Sequence, residues 1–334
     1  MTDKGTLTSS IDGSVLAVFK AAPLENSYLG VGYAIATGAG SNTRVATFDL
    51  TTSPVTLTGS ALINTAGVPD AVNQIRSNAY DTTRASGKMI LAGTRLNAPC
   101  NVNPCIHART FSGTSTIADT NTSTTLTVGG STMDSIDGDS YWVGYGITGG
   151  TTIGKFNTSF TFLNQLAFTA NLYGGITHDD NYVYATINLA GTYNIRRIDR
   201  TTLAVNDFAL FAGTVSSEIH HVNGFLYVGQ SGTLQKVRTS DMTIVTSLAL
   251  AGGEVPLLDG ISYDATNDRM YVVSTGGGAT QFRRINLNTF TSEQTLGIGA
   301  VGQGSGVGFD FVHQNIYAVS AAANMLVMKV GLCT

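Results

Sequence analysis

The chain has 334 residues, of which 43% are apolar and 12% charged, with a formal net charge of −4. With 14 Phe and 13 Tyr there is ample material for a core, and disorder, which goes with few aromatic residues, is excluded. No basic stripe is present to neutralise phosphates, which excludes nucleic acid as a partner, and no apolar run reaches the roughly 18 residues that a membrane-spanning helix needs.

The first residues, Met1 to Thr8, contain no long apolar run and read as neither a signal peptide nor a membrane anchor. From there a phrase recurs about every 40 to 50 residues. It consists of a short apolar strand and turn, a Tyr-containing strand, a polar strand closed by a Thr/Asn/Asp turn, and a last strand. The copies fall at about 13–62, 63–119, 120–168, 169–212, 213–251, 252–299 and 300–334. The clearest are Gly175-Ile-Thr-His-Asp179 with Tyr182-Val-Tyr184 and Ile195-Arg-Arg-Ile-Asp199, and Gly260-Ile-Ser-Tyr-Asp264 with Met270-Tyr-Val-Val273 and Phe282-Arg-Arg-Ile-Asn286. The strands follow period-two patterning and β-branched enrichment, as in Val55-Thr-Leu-Thr58. Asn223-Gly224, Asp137-Gly138 and Asp264-Ala-Thr-Asn-Asp268 separate them with turn chemistry. No stretch reads as a helix.

Four strands per period predict radial repetition about an axis. The expected fold is all-β: a single-domain, seven-bladed β-propeller of four-stranded antiparallel blades. The seventh copy runs out after three strands, while Thr6-Leu-Thr-Ser-Ser-Ile11 precedes the first strand of copy one. The N-terminal strand is therefore expected to join the C-terminal blade and close the ring. The longest departure from the repeat, Arg95 to Arg109, predicts an inserted loop suited to contacts.

In such a ring the first strand of each blade lines a channel. Arg76, Asp134, Gly174, Ser217, Asp259 and Ser305, with Glu218 adjacent, are then expected near one mouth. Asp134, Glu218 and Asp259 offer oxygen ligands for a divalent cation such as calcium, and Arg76 with Asp134 and Asp259 can orient a small polar ligand. The same groups also serve simply to solvate a channel and cap turns. Glu218 and His220 share a strand face and suit general acid–base work, or a hydrogen-bonded structural role. His221 faces the other way. Asp49-x-x-Thr52, Asp199-x-x-Thr202 and Asn286-x-x-Thr289 read as a turn that each copy needs. Arg196-Arg197 and Arg283-Arg284 read as structural, one of each pair facing solvent and the other packed or paired.

Three Cys are present, an odd count for a disulfide framework. Cys100 and Cys105 fit a small disulfide-closed loop or two reduced thiols. Together with His107 they resemble a partial zinc site short of a fourth ligand. No phosphate-binding Gly loop, nucleophile elbow or coherent Ser/His/Asp set appears.

Met270-Tyr-Val-Val-Ser-Thr275, Tyr182-Val-Tyr-Ala-Thr186 and Ile316-Tyr-Ala-Val-Ser320, the first two followed by Arg-Arg-Ile-Asn/Asp, resemble the seven-bladed propellers of the YVTN, NHL and lactonase-like group over essentially the whole chain. The resemblance implies the architecture and leaves two activities open. One is a non-catalytic binding or assembly module. The other is a metal-dependent lactonase- or lyase-like enzyme, whose Glu/Asn/Asp cluster would correspond in part to Asp134, Glu218 and Asp259. The low-Lys, Thr/Gly/Asn-rich composition without a signal peptide fits a structural or adsorption-related component of a phage-like virion, or another extracellular assembly; a cytoplasmic setting is the alternative. Protein partners are expected, without a cofactor in the assembly reading, and a carbohydrate or small molecule is a further ligand class.

Overall fold

A computed structural model describes residues 2–9, 18–21, 31–37, 43–49, 56–62, 72–81, 88–95, 105–112, 115–122, 126–127, 133–136, 139–146, 151–156, 162–168, 172–189, 191–212, 218–230, 232–251, 254–276, 279–297, 305–310, 315–321 and 325–331. Side chains are described mainly within 175–297. The described residues form strands and turns, with no α-helix among them. Two compact units are present, 1–129 with 298–334, and 130–297.

In the first unit, β1 (Thr2–Ser9) precedes a sheet of β2 (Val18–Ala21), β3 (Val31–Thr37), β4 (Thr43–Asp49) and β5 (Thr56–Leu62). A second sheet holds β6 (Val72–Asp81), β7 (Lys88–Arg95), β8 (Cys105–Ser112) and β9 (Ser115–Thr122), and the two-residue β10 (Leu126–Thr127) follows. In the second unit, β11 (Met133–Ile136), β12 (Asp139–Gly146), β13 (Thr151–Phe156) and β14 (Phe162–Phe168) pair in order. The next sheets are β15 (Leu172–His178), β16 (Tyr182–Leu189), β17 (Thr192–Asp199) and β18 (Val205–Ala212), then β19 (Ile219–Val222), β20 (Phe225–Gln230), β21 (Thr233–Arg238) and β22 (Ile244–Ala249). The unit ends with β23 (Val255–Asp264), β24 (Arg269–Gly276), β25 (Ala279–Asn286) and β26 (Thr291–Gly297). The chain returns to the first unit with β27 (Ser305–Asp310), β28 (Asn315–Ala321) and β29 (Met325–Gly331). β1 pairs antiparallel with β29 in that sheet, Leu7 opposite Val327 and Thr2 opposite Gly331. All of these pairings are antiparallel, and the fold is an all-β arrangement of consecutive antiparallel sheets, most of them four-stranded.

Why these strands bury both faces follows from the stacking of the sheets. Tyr184, Tyr193 and Ile195 of one sheet share a cluster with Ile219, Leu226, Val228 and Val237 of the next. Val222, Tyr227 and Leu234 in turn pack with Ile261, Met270, Val272 and Ile285 of the sheet after. A strand covered on both sides needs an almost continuous apolar run, hence Val183 to Ile187, every residue of which is buried. The fourth strands β22 and β26 are mostly exposed; β26 is correspondingly polar, whereas β22 leaves Ile244 and Val245 at the surface.

Turn chemistry shapes the ends. Asn223 and Gly224 adopt φ of 49° and 79°, the mirror-image conformation that matches strand twist in a two-residue hairpin. The Asp199 carboxylate accepts the N–H groups of Thr201 and Thr202 at 2.9 and 2.7 Å. Asn286 Oδ1 accepts those of Asn288 and Thr289 at 2.9 and 3.2 Å. These are the repeated third-to-fourth-strand turns; the copy after Asp49 lies outside the described residues.

Candidate functional site

The described part of the expected mouth lies where β15 and β19 run side by side. Gly175 lets them approach: a Cβ there would stand 2.7 Å from the backbone N of Ile219 and 3.0 Å from Glu218 Cα. The Thr177 hydroxyl accepts the His221 N–H at 3.2 Å, which stitches the two first strands together. Glu218 is buried. Its carbonyl accepts the Gly229 N–H at 2.9 Å, and its Oε2 lies 3.0 Å from where a Gly175 Cβ would stand. His220 sits opposite Tyr227 in the β19–β20 ladder and is half-buried.

His221 points the other way, as strand alternation requires. Its Nε2 accepts the Gly224 N–H at 3.2 Å, and its ring stacks on Tyr184 with centroids 6.3 Å apart. The Tyr184 hydroxyl donates to Asp179 at 2.6 Å. Burial, then this hydrogen bond, hold that hydroxyl well above the usual phenol range. Asp179 also accepts the N–H groups of Asn181 and Tyr182. This group of residues therefore secures the turn between β15 and β16.

The other expected residues are placed by backbone alone. Arg76 falls where the β6–β7 register shifts, between Ile75 and Ser77, in the first unit. Asp134 pairs with Tyr141 across β11 and β12. Asp259 lies in β23 between Pro256 and Ile261, where the ladder with β24 is interrupted. Their side chains lie outside the described residues, as do Cys100 and the side chain of Cys105, the first residue of β8. Among the described residues no group of three or more His, Cys, Asp or Glu side chains is arranged to hold a metal ion.

The most deeply buried ionic constellation among the described residues is one that sequence reasoning missed. Glu254 Oε1 and Oε2 accept Arg283 Nη2 and Nε at 2.7 and 3.0 Å, and Oε2 also accepts the Ser274 hydroxyl at 2.6 Å. All three residues are buried. The backbone is tied as well: the Glu254 carbonyl accepts the Gly232 N–H at 2.7 Å, joining this strand to the preceding sheet. The arrangement neutralises a buried charge and fixes a loop. Half of its signal was visible in the paired arginines; the other half, an isolated Glu ahead of an apolar strand, carries no spacing that marks it.

The paired arginines correct one expectation, because neither member is left to solvent. Arg196 makes two bonds to Asp207 at 2.7 and 2.6 Å, while Arg197 lies over the Tyr182 and Phe208 rings. Arg283 pairs with Glu254 and Arg284 with Glu293, the latter at 2.8 Å. Asp207 and Phe208 of β18, Tyr182 of β16, Glu293 of β26 and Glu254 at the entry of β23 supply these partners from within the same sheets.

No family model matches the chain, and no curated protein matches its sequence. Its structure is similar to the WD40 domain of a coronin from Toxoplasma gondii, at a TM-score of 0.63 and 12% identity, over 98% of this chain and 87% of that one. The likeness is one of fold, and it identifies a β-propeller built of repeats.

Proposed function

We propose that this chain is a non-catalytic propeller that presents protein-binding loops on a rigid scaffold. The reading takes its successive sheets as seven blades of one ring, closed by the pairing of β1 with β29. The fold carries it: a propeller with a WD40 domain as neighbour, an architecture generally used to bind proteins. The use of charge supports it too. Among the described residues, Arg196, Arg283 and Glu254 are committed to ion pairs inside the scaffold, and Asp264 caps its own turn. Rigid presentation needs no cofactor. The setting we favour is a structural or adsorption-related part of a phage-like virion or another extracellular assembly, on the strength of the low-Lys, Thr/Gly/Asn-rich composition. Its contact element would be the insertion expected over Arg95 to Arg109, of which Arg95 ends β7, 105–109 open β8 and 96–104 join the two strands.

The test replaces 96–104 with a Gly/Ser segment of equal length and measures co-sedimentation with the native assembly. Retained circular dichroism with lost incorporation is the expected result. Full incorporation, together with a chelator-sensitive lactone hydrolysis that Glu218→Gln abolishes, would overturn it in favour of the lactonase-like reading.

A further inference from the structure

The three sheet junctions of the second unit share a device that does not depend on what the propeller binds. Lys155, Arg197 and Lys236 occupy one position on successive third strands, each opposite a Tyr of the second strand: Tyr141, Tyr184 and Tyr227. Each cation reaches forward into the next sheet. Lys155 Nζ lies 3.4 Å from the Arg200 carbonyl oxygen, Arg197 Nη1 3.5 Å from that of Thr239, and Lys236 Nζ 3.4 Å from that of Leu287. In every case the acceptor is the first residue after the receiving sheet's third strand. The N–H of that same residue bonds back to its own first-to-second-strand turn: Arg200 to Asn181, Thr239 to Gly224, Leu287 to Asp268.

Two further observations coincide at these junctions. Where side chains are described, the cation is seated on aromatic faces: Arg197 lies 4.7 Å from Tyr182 and 4.9 Å from Phe208, and Lys236 4.4 Å from Phe225 and 5.7 Å from Tyr227. Three residues past each receiving carbonyl, a bulky apolar residue is left-handed: Leu203, Met242 and Phe290, at φ of 58°, 57° and 52°. Such residues avoid that region, and strain of this kind persists where the surroundings over-determine it. Met242 packs in the cluster of Tyr184, Tyr193 and Ile195, which belong to the donor sheet. Phe290 packs with Tyr227 and Leu234 of its own donor sheet, 6.0 Å from Lys236 Nζ. A half-buried cation facing a carbonyl and ring faces is favoured by both, and the strained plug brings the carbonyl within its reach.

We infer that cation, aromatic seat and left-handed plug form one forward-directed clasp, by which each sheet of this unit holds the third-to-fourth-strand turn of the sheet after it. In the last sheet of the unit the corresponding residue, Arg284 opposite Tyr271, pairs with Glu293 of its own sheet.

The test is native-state amide hydrogen exchange on the full chain carrying Lys236→Met, which keeps a long apolar stem over the rings. The Leu287 amide should exchange roughly tenfold faster, with the Thr239 amide of the mutated sheet unchanged; Lys236→Arg should restore protection. Arg197→Met should do the converse, loosening Thr239 and sparing Leu287, and it reads the device independently if Lys236→Met does not fold. Unchanged exchange at the receiving amide, or equal loosening of both turns in each variant, would overturn the clasp and leave an undirected packing contact.

Discussion

Phe290 and Leu203 hold the same strained backbone conformation, yet substitution should affect them to very different extents. The left-handed region costs an L-residue about 1–2 kcal/mol, which glycine relieves. Phe290 is buried against the preceding sheet, and truncating a buried Phe costs about 3–5 kcal/mol. Phe290→Gly should therefore lower stability by about 2–3 kcal/mol in urea denaturation. Leu203 is only half-buried, so Leu203→Gly should stay within about 1 kcal/mol of the wild type. Carboxylates add a pH dependence at the same scale. Backbone and side-chain bonds from Thr202, then the backbone of Thr201, hold Asp199 below the usual carboxylate range. The hydroxyl of Thr243 leads in doing so for Asp241. Burial pushes Glu293 up, but Asn286, Arg269 and Arg284 outweigh it and the net shift is downward. A group depressed in the folded state contributes stability above its unfolded pKa and loses it as pH falls through the folded value. The urea midpoint should accordingly hold through neutral pH and decline below about pH 4, and Glu293→Gln should flatten that decline.

Elements were legible from sequence where a local rule sets them. The Asn223-Gly224 hairpin follows from two residues that take positive φ cheaply, and the turns after Asp199 and Asn286 follow from side chains bonding two or three residues away. The strands of the Tyr-containing phrases follow from continuous apolar runs. The exposed or buried state of each paired arginine was not legible, because it depends on partners brought in by other strands, and Glu254 was missed because its partner stands 29 residues on. Nor did the candidate mouth residues converge from sequence alone. Glu218 and His220 are placed at one first strand, but a register interruption surrounds Asp259 and a shift falls at Arg76, and period counting sees neither. The Glu254–Arg283 pair belongs to this scale, since it ties β25 to the entry of β23. Arg283→Met leaves a buried carboxylate facing only Ser274, and breaking such a pair costs about 3–5 kcal/mol. Adding Glu254→Gln removes the stranded charge and should recover most of that loss in the same denaturation assay.

At the scale of the whole molecule, the first unit is assembled from both ends of the chain, and β1 is the N-terminal contribution to its last sheet. β29 has β28 on one side and β1 on the other. It is apolar along Met325-Leu-Val-Met328, so without β1 its backbone donors and acceptors would form an unprotected sheet edge, a template for pairing between chains. In the closed ring proposed for this protein, that pairing also joins the ends of the chain, and loosening it should be felt by every blade. Deletion of residues 1–12 should then lower the melting temperature in a single cooperative transition and promote concentration-dependent association. A synthetic peptide of residues 1–12 added in trans should bind the truncated chain and reverse both effects. An unchanged melting temperature, with faster exchange confined to β29, would mean that β1 only covers a local edge, and the proposal of a ring closed by the two chain ends would fall.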